Sequence, residues 1–161
     1  MKSIQPFIDL GFYTVPLQGK LERLEDGSKT TPHYPKNWKA DFQKDFNEDA
    51  TKIGGTITGA ISSIIAIDCD SQTTYDMFKA FDPTYDFHFI SKGKPKGGGT
   101  IIYKYPQLDN GAAPIPSFSI QDELLNLDYY SDNGFVYLPT AANSTKEAWT
   151  QQDHISLPPL S

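Results

Sequence analysis

The chain has 161 residues, enough for one domain with a real core, and 38% hydrophobic with 21% charged residues is not the composition of a disordered segment. A net charge of −6 argues against gripping nucleic acid over a broad basic surface, although it leaves room for a local basic groove. No apolar run approaches the roughly 20 residues that span a bilayer, the first residues lack the apolar segment of a secretory signal, and the single Cys69 excludes an intrachain disulfide and a multi-cysteine zinc site, which together fit a reducing, cytoplasmic setting.

Residues 3–10 read as a short helix with Ile4, Phe7 and Ile8 on one side, ended by Gly11. Phe12 to Val15 reads as a strand that Pro16 closes. Leu17 to Pro35 is polar and rich in Gly and Pro, a long loop or an irregular hairpin. Trp38 to Asn47 reads as partly helical, and Ile53–Ile57 and Ser62–Asp68 as strands around the turn Thr58-Gly59-Ala60. Ser71 to Phe81 is expected as a helix capped by Ser71 or Asp70, with Tyr75, Phe78 and Phe81 at helical spacing and Asp82-Pro83 as its stop. Phe87–Ser91 and Thr100–Tyr105 read as strands around a glycine- and lysine-rich loop, followed by a Pro-rich connection over 106–116. Ile120 to Tyr130 reads either as one strand or as a short helix leading into a strand. Asp132-Asn133-Gly134 is a hairpin signal before Phe135–Leu138. A single domain over 1–156 is expected, with 157–161 starting a linker to a further C-terminal region.

The apolar run Ile64–Ile67 ends in Asp68 and Asp70, whose side chains would leave a strand on the same face. Two such charges repel, and a divalent metal between them is one resolution. A strand-end turn followed by a helix N-cap is the other. Asp128 lies among Leu127, Tyr129 and Tyr130, so it is not part of a solvated charge run. If its strand lies beside that of Asp68, three carboxylates converge; otherwise it is an ordinary strand-end acid. Ser91 to Gly99 carries Lys92, Lys94, Lys96 and consecutive glycines, either an anion-binding nest for phosphates or a solvated hairpin tip. It is not a Walker A loop, since no Gly-Lys-Ser/Thr follows at the right spacing. Tyr34 and Trp38 are candidates for stacking on bases. His88, between Phe87 and Phe89, reads as a strand histidine rather than a catalyst, and Cys69 between two acids as a poor nucleophile.

Several blocks then fall into a familiar order: Gly11-Phe12-Tyr13-Thr14-Val15-Pro16-Leu17; Ser28-Lys29-Thr30-Thr31-Pro32 followed by Trp38; Ile53 to Asp70 with Thr58-Gly59 and Ser62-Ser63; the stretch ending at Tyr103; and Leu127-Asp128 followed by Gly134 to Pro139. Over most of residues 5–149 the chain resembles the N-terminal catalytic domain of bifunctional DNA primase/polymerases, within the archaeo-eukaryotic primase superfamily. The resemblance implies an α/β (α+β) primase–polymerase fold, with a small N-terminal α/β unit packed on an RRM-like palm sheet with flanking helices. It implies template-directed nucleotidyl transfer by a two-metal mechanism, with Mg²⁺ or Mn²⁺ on Asp68, Asp70 and Asp128. The implied partners are a single-stranded DNA template, nucleoside triphosphates, and a helicase or primer-initiation domain further along the full-length protein. A viral or plasmid origin, in the host cytosol, goes with that family.

The chain departs from the family at the second motif. The pattern Gly-x-His-x-aromatic reads Gly99-Thr100-Ile101-Ile102-Tyr103, so Ile101 stands where a phosphate-contacting histidine is expected. Either the preceding loop substitutes, with Ser91, Lys92, Lys94 and Lys96 as nucleotide-binding candidates, or nucleotide binding is weakened or lost. Lys29, Lys36 and Trp38 are the candidate DNA contacts. A catalytically impaired primase-like module that binds single-stranded DNA or a replication partner is the alternative from a different class. A metal-dependent phosphohydrolase or nuclease using the same carboxylates is a third.

Overall fold

The computed structural model describes residues 5–17, 19–30, 53–85, 87–107, 110, 114–140 and 143–148. Helix α1 (Gln5–Asp9) stops at Gly11, whose φ of 84° is reached without cost only by a residue lacking Cβ. Strand β1 (Thr14–Pro16) pairs antiparallel with β2 (Ile53–Ile57), and the register slips where Pro16 has no N–H to give. The polar segment between them closes into an irregular hairpin through the antiparallel bridge Arg23–Lys29.

After β2 the chain turns through Gly59 to Ser63 into β3 (Ile64–Cys69), then α2 (Gln72–Phe81), β4 (His88–Ser91) and β5 (Gly99–Lys104). Ser71 is the N-cap of α2, its hydroxyl accepting from the Thr74 N–H, as a short polar side chain ahead of the first turn should. β6 (Phe118–Gln121), β7 (Asn126–Tyr130), β8 (Phe135–Tyr137) and β9 (Lys146–Ala148) follow. The result is an α+β fold with two antiparallel sheets: β1-β2-β8, and a larger one in the order β6-β7-β3-β5-β4-β9.

Residues opposite one another in neighbouring strands share a face. One rung of the large sheet runs Phe89, Thr100, Asp68, Asp128, Ser119; the next, on the other face, runs His88, Ile101, Ile67, Tyr129, Phe118. The first face meets α1 through Phe7, whose ring lies edge-on to Phe89 at 5.8 Å, and Val136 and Leu138 of the small sheet's side join the same core. The second face meets α2, where Tyr75 stands edge-on to His88 at 5.8 Å. Phe7, Phe87, Phe89, Ile64, Ile101 and Ile102 are fully buried, and burial of each such side chain contributes about 1.5–3 kcal/mol.

Three expectations are corrected. Ile120–Tyr130 is neither one strand nor a helix and strand but the β6–β7 hairpin, turned by Asp122, whose carboxylate accepts from the Leu124 and Leu125 N–H groups. Asp132-Asn133-Gly134 does turn the chain, with Asn133 at φ 57°, but β7 and β8 do not pair. Instead the turn carries the chain from one sheet to the other, because Thr58 and Ala60 at the end of β2 claim it through Ser131, Gly134 and the Asp132 carboxylate. Phe81 is 93% exposed: Tyr75 and Phe78 seat α2 on the core, and Phe81 lines an open apolar cleft with Ile67, Met77, Tyr103 and Leu125. The expected helix over 38–47, Lys36, Trp38 and the tail 157–161 lie outside the described residues. Among the described residues no helix is long and apolar enough to cross a membrane.

Candidate functional site

Asp68 and Asp128 occupy directly opposed positions in β3 and β7. Asp70 follows one step beyond the end of β3, and its N–H still reaches the Asn126 carbonyl of β7 at 2.9 Å, so it keeps to the same side as Asp68. One carboxylate oxygen from each of Asp68, Asp70 and Asp128 lies within 4.8 Å of the others, and all three residues are half-buried. Like charges directly opposed in a sheet oppose pairing. A rung of this kind therefore works against the fold unless donors or a cation answer it.

The donors are side chains. The Thr100 hydroxyl, fully buried, donates to Asp68 Oδ1 at 2.7 Å. The Ser119 hydroxyl, across from Asp128, donates to its carboxylate. Gln121 Nε2 donates to Asp70 Oδ2 at 3.4 Å, and Lys94 Nζ stands 3.3 Å from Asp70 Oδ1. An all-oxygen set with several carboxylates, partly open to water, offers the donor chemistry that hard divalent cations such as Mg²⁺ or Mn²⁺ take.

Lys94 comes from the loop between β4 and β5. That loop is fixed at both flanks: Ser91 N–H donates to the Gly98 carbonyl at 3.1 Å, Lys92 N–H to Thr145 at 2.7 Å, and Gln72 N–H to Lys96 at 2.7 Å. Gly98, at φ 103°, lies so close to the Cys69 carbonyl that a Cβ there would come within 2.2 Å of it. This close approach brings the loop to the end of β3 and explains the glycines. Arg23 of the N-terminal hairpin donates to the Lys92 carbonyl at 3.2 Å.

The sequence candidates thus divide. Asp68, Asp70, Asp128 and Lys94 meet. Ser91 ends β4 on the same face as Phe89, while Lys92 and Lys96 are exposed on the loop. Lys29 sits elsewhere, its ammonium 5.6 Å from the centre of the Tyr137 ring on the small sheet. At the second motif Ile101 is buried on the α2 face, and Thr100 is the residue that meets the acids. Thr100, Ser119 and Gln121 were not legible in the sequence as site residues. β5 is buried on both faces from Gly99 to Ile102, so no alternation marks which side chain turns toward Asp68.

Cys69, beside the acids in the chain, and His88, on the face of the sheet opposite them, are both buried. Burial, then the charges of Asp68 and Asp70, push the Cys69 thiol up to about 12, so it holds its proton and is no nucleophile. His88 is buried, with its Nε2 against the Tyr85 carbonyl and 3.3 Å from Lys79 Nζ. Comparison with protein-family models, curated proteins and solved structures finds no match to this chain.

Proposed function

We propose that this chain is a metal-dependent, template-directed nucleotidyltransferase of the primase–polymerase kind. The observation that carries the reading is the convergence of Asp68, Asp70 and Asp128 from two strands far apart in sequence. Two divalent ions held by those carboxylates would activate a 3′-hydroxyl and neutralise the charge of the triphosphate and its leaving group. Thr100 fixes the Asp68 carboxylate, and Ser119 and Gln121 hold Asp128 and Asp70, so that the three present their oxygens together. Lys92 and Lys96 give the exposed end of the site positive charge where phosphates would lie. The partners on this reading are a single-stranded DNA template and nucleoside triphosphates. The palm-and-N-terminal-unit architecture of primase–polymerases is part of the same proposal, supported by the antiparallel sheet order and the separate small sheet.

A second reading is a primase-like module that binds single-stranded DNA without catalysis. It draws on the second motif, where the buried Ile101 stands in place of a histidine. Incubating the protein with labelled nucleotides, a primed single-stranded template and Mn²⁺ separates the two. Products longer than the primer, lost in Asp68→Asn and Asp70→Asn, support the polymerase. Shortened strands point to a nuclease, and DNA binding with no change in length to the module. Extension at wild-type rate in both variants refutes the site.

A further inference from the structure

We infer that Lys94 is a built-in counter-ion of the acidic site, which an incoming divalent cation displaces and a phosphate group then takes up. The inference rests on the reading of Asp68, Asp70 and Asp128 as metal ligands. Its own basis is the position of the Lys94 ammonium, 3.3 Å from Asp70 Oδ1, on a carboxylate that belongs to the three-acid group. A metal ion on Asp70 and an ammonium at that distance would repel, so the two compete for the oxygen.

The structure makes the exchange inexpensive. The ion pair is partly open, with side-chain exposures of 26% for Lys94 and 33% for Asp70, and such pairs are weakly held. The backbone around it is not free to follow: Gly97 N–H is bonded to the Lys94 carbonyl at 2.9 Å, Gly98 N–H to Gln72 Oε1 at 3.3 Å, and Lys92 and Lys96 are tied as described above. Displacement is therefore confined to the side chain, which swings on its flexible stem while the loop stays in place. An ammonium released beside a bound cation lies within reach of the anions that the cation attracts. Metal entry and phosphate capture are coupled through one residue, and the loop lysine acts against the metal in its absence and for the substrate in its presence.

The test is a pair of affinities with opposite signs. Mn²⁺ binding to wild type, Lys94→Met and Lys94→Arg is measured by electron paramagnetic resonance, and dATP binding at saturating Mg²⁺ by calorimetry. Lys94→Met is expected to bind Mn²⁺ about two- to fivefold more tightly and dATP about two- to fivefold more weakly, the size expected for a partly exposed charge pair. Lys94→Arg, which keeps the charge, is expected to stay near wild type in Mn²⁺ affinity and serves as the control for the loop's fold. Equal or weaker Mn²⁺ binding by Lys94→Met than by wild type, with wild type binding well, overturns the inference and leaves the metal reading standing. Absence of Mn²⁺ binding by all three proteins overturns both.

Discussion

Replacing Asp128 by asparagine changes one charge in the opposed rung and keeps an acceptor oxygen for Ser119. Its carboxylate oxygen lies within 4.8 Å of those of Asp68 and Asp70, and two unit charges at that separation repel by about 1 kcal/mol in water-like surroundings and about 3 kcal/mol at an effective dielectric near 20. In a site this open the water-like figure applies: two repulsions of about 1 kcal/mol disappear in Asp128→Asn, against about 1 kcal/mol for the weakened charge-assisted hydrogen bond, leaving a net stabilisation of at most about 1 kcal/mol. For a chain of 161 residues that is about 2–4 °C in Tm per kcal/mol. The variant should therefore melt higher than wild type in EDTA. In Mn²⁺ the order should reverse, because a ligand at a hundred times its Kd adds about 2.7 kcal/mol to wild type and little to a protein that has lost a ligand. Circular dichroism melts in the two buffers read this directly. A wild-type Tm indifferent to Mn²⁺, together with no gain for Asp128→Asn in EDTA, would show that these charges neither strain the fold nor hold a cation.

Thr100→Val leaves the buried volume nearly unchanged but removes the hydroxyl that fixes Asp68, and a tenfold or greater loss of Mn²⁺ affinity with an unchanged circular dichroism spectrum is expected. The Tyr75 hydroxyl has no hydrogen-bond partner among the described residues, so Tyr75→Phe should raise stability by about 1 kcal/mol in urea titrations. The same hydroxyl is pushed up to about 12, by burial first and then by Cys69 and Asp76. The folded form thus keeps a proton that the unfolded chain loses, so this group's contribution is full below about pH 10 and falls as pH rises toward 12; urea midpoints across that range should decline less steeply in Tyr75→Phe. Gly59→Ala puts a Cβ 2.6 Å from the Asp132 Cα at a φ of 103°, and should cost about 3 kcal/mol in the same assay by prising apart the turn that joins the two sheets.

What the sequence shows is what neighbouring residues decide among themselves. Gly11 ends α1, Ser71 caps α2, and the spacing of Asp68 and Asp70 places them on one side, all from local geometry. What it does not show is which strand lies beside which. Nothing within Leu127–Tyr130 says that β7 pairs with β3, since the hydrogen bonds that align them join residues about sixty apart. The Asp132-Asn133-Gly134 turn illustrates the same limit: its dihedral chemistry was legible, but whether the next strand folds back or crosses to another sheet is decided by Thr58 and Ala60, far upstream. Thr100 was hidden for a third reason, because a strand buried on both faces has no polar side to betray its orientation.

The chain itself separates two uses of an aspartate. Asp26, Asp122 and Asp132 accept from backbone N–H groups at Ser28, Leu124 and Ala60, and so spend their charge on turns. Asp70 could have joined them as the cap of α2, but Ser71 takes that place. Its carboxylate goes instead to Lys94 and Gln121, as Asp128 goes to Ser119 and Asp68 to Thr100. The difference bears on the proposed site, because a backbone donor is fixed by the turn it closes, whereas the long Lys94 side chain can swing away from Asp70 when a stronger cation arrives. An acid committed to a turn cannot become a ligand without unfolding that turn. An acid held by the Lys94 side chain can exchange partners with the fold intact, which is the property the proposed metal site calls for.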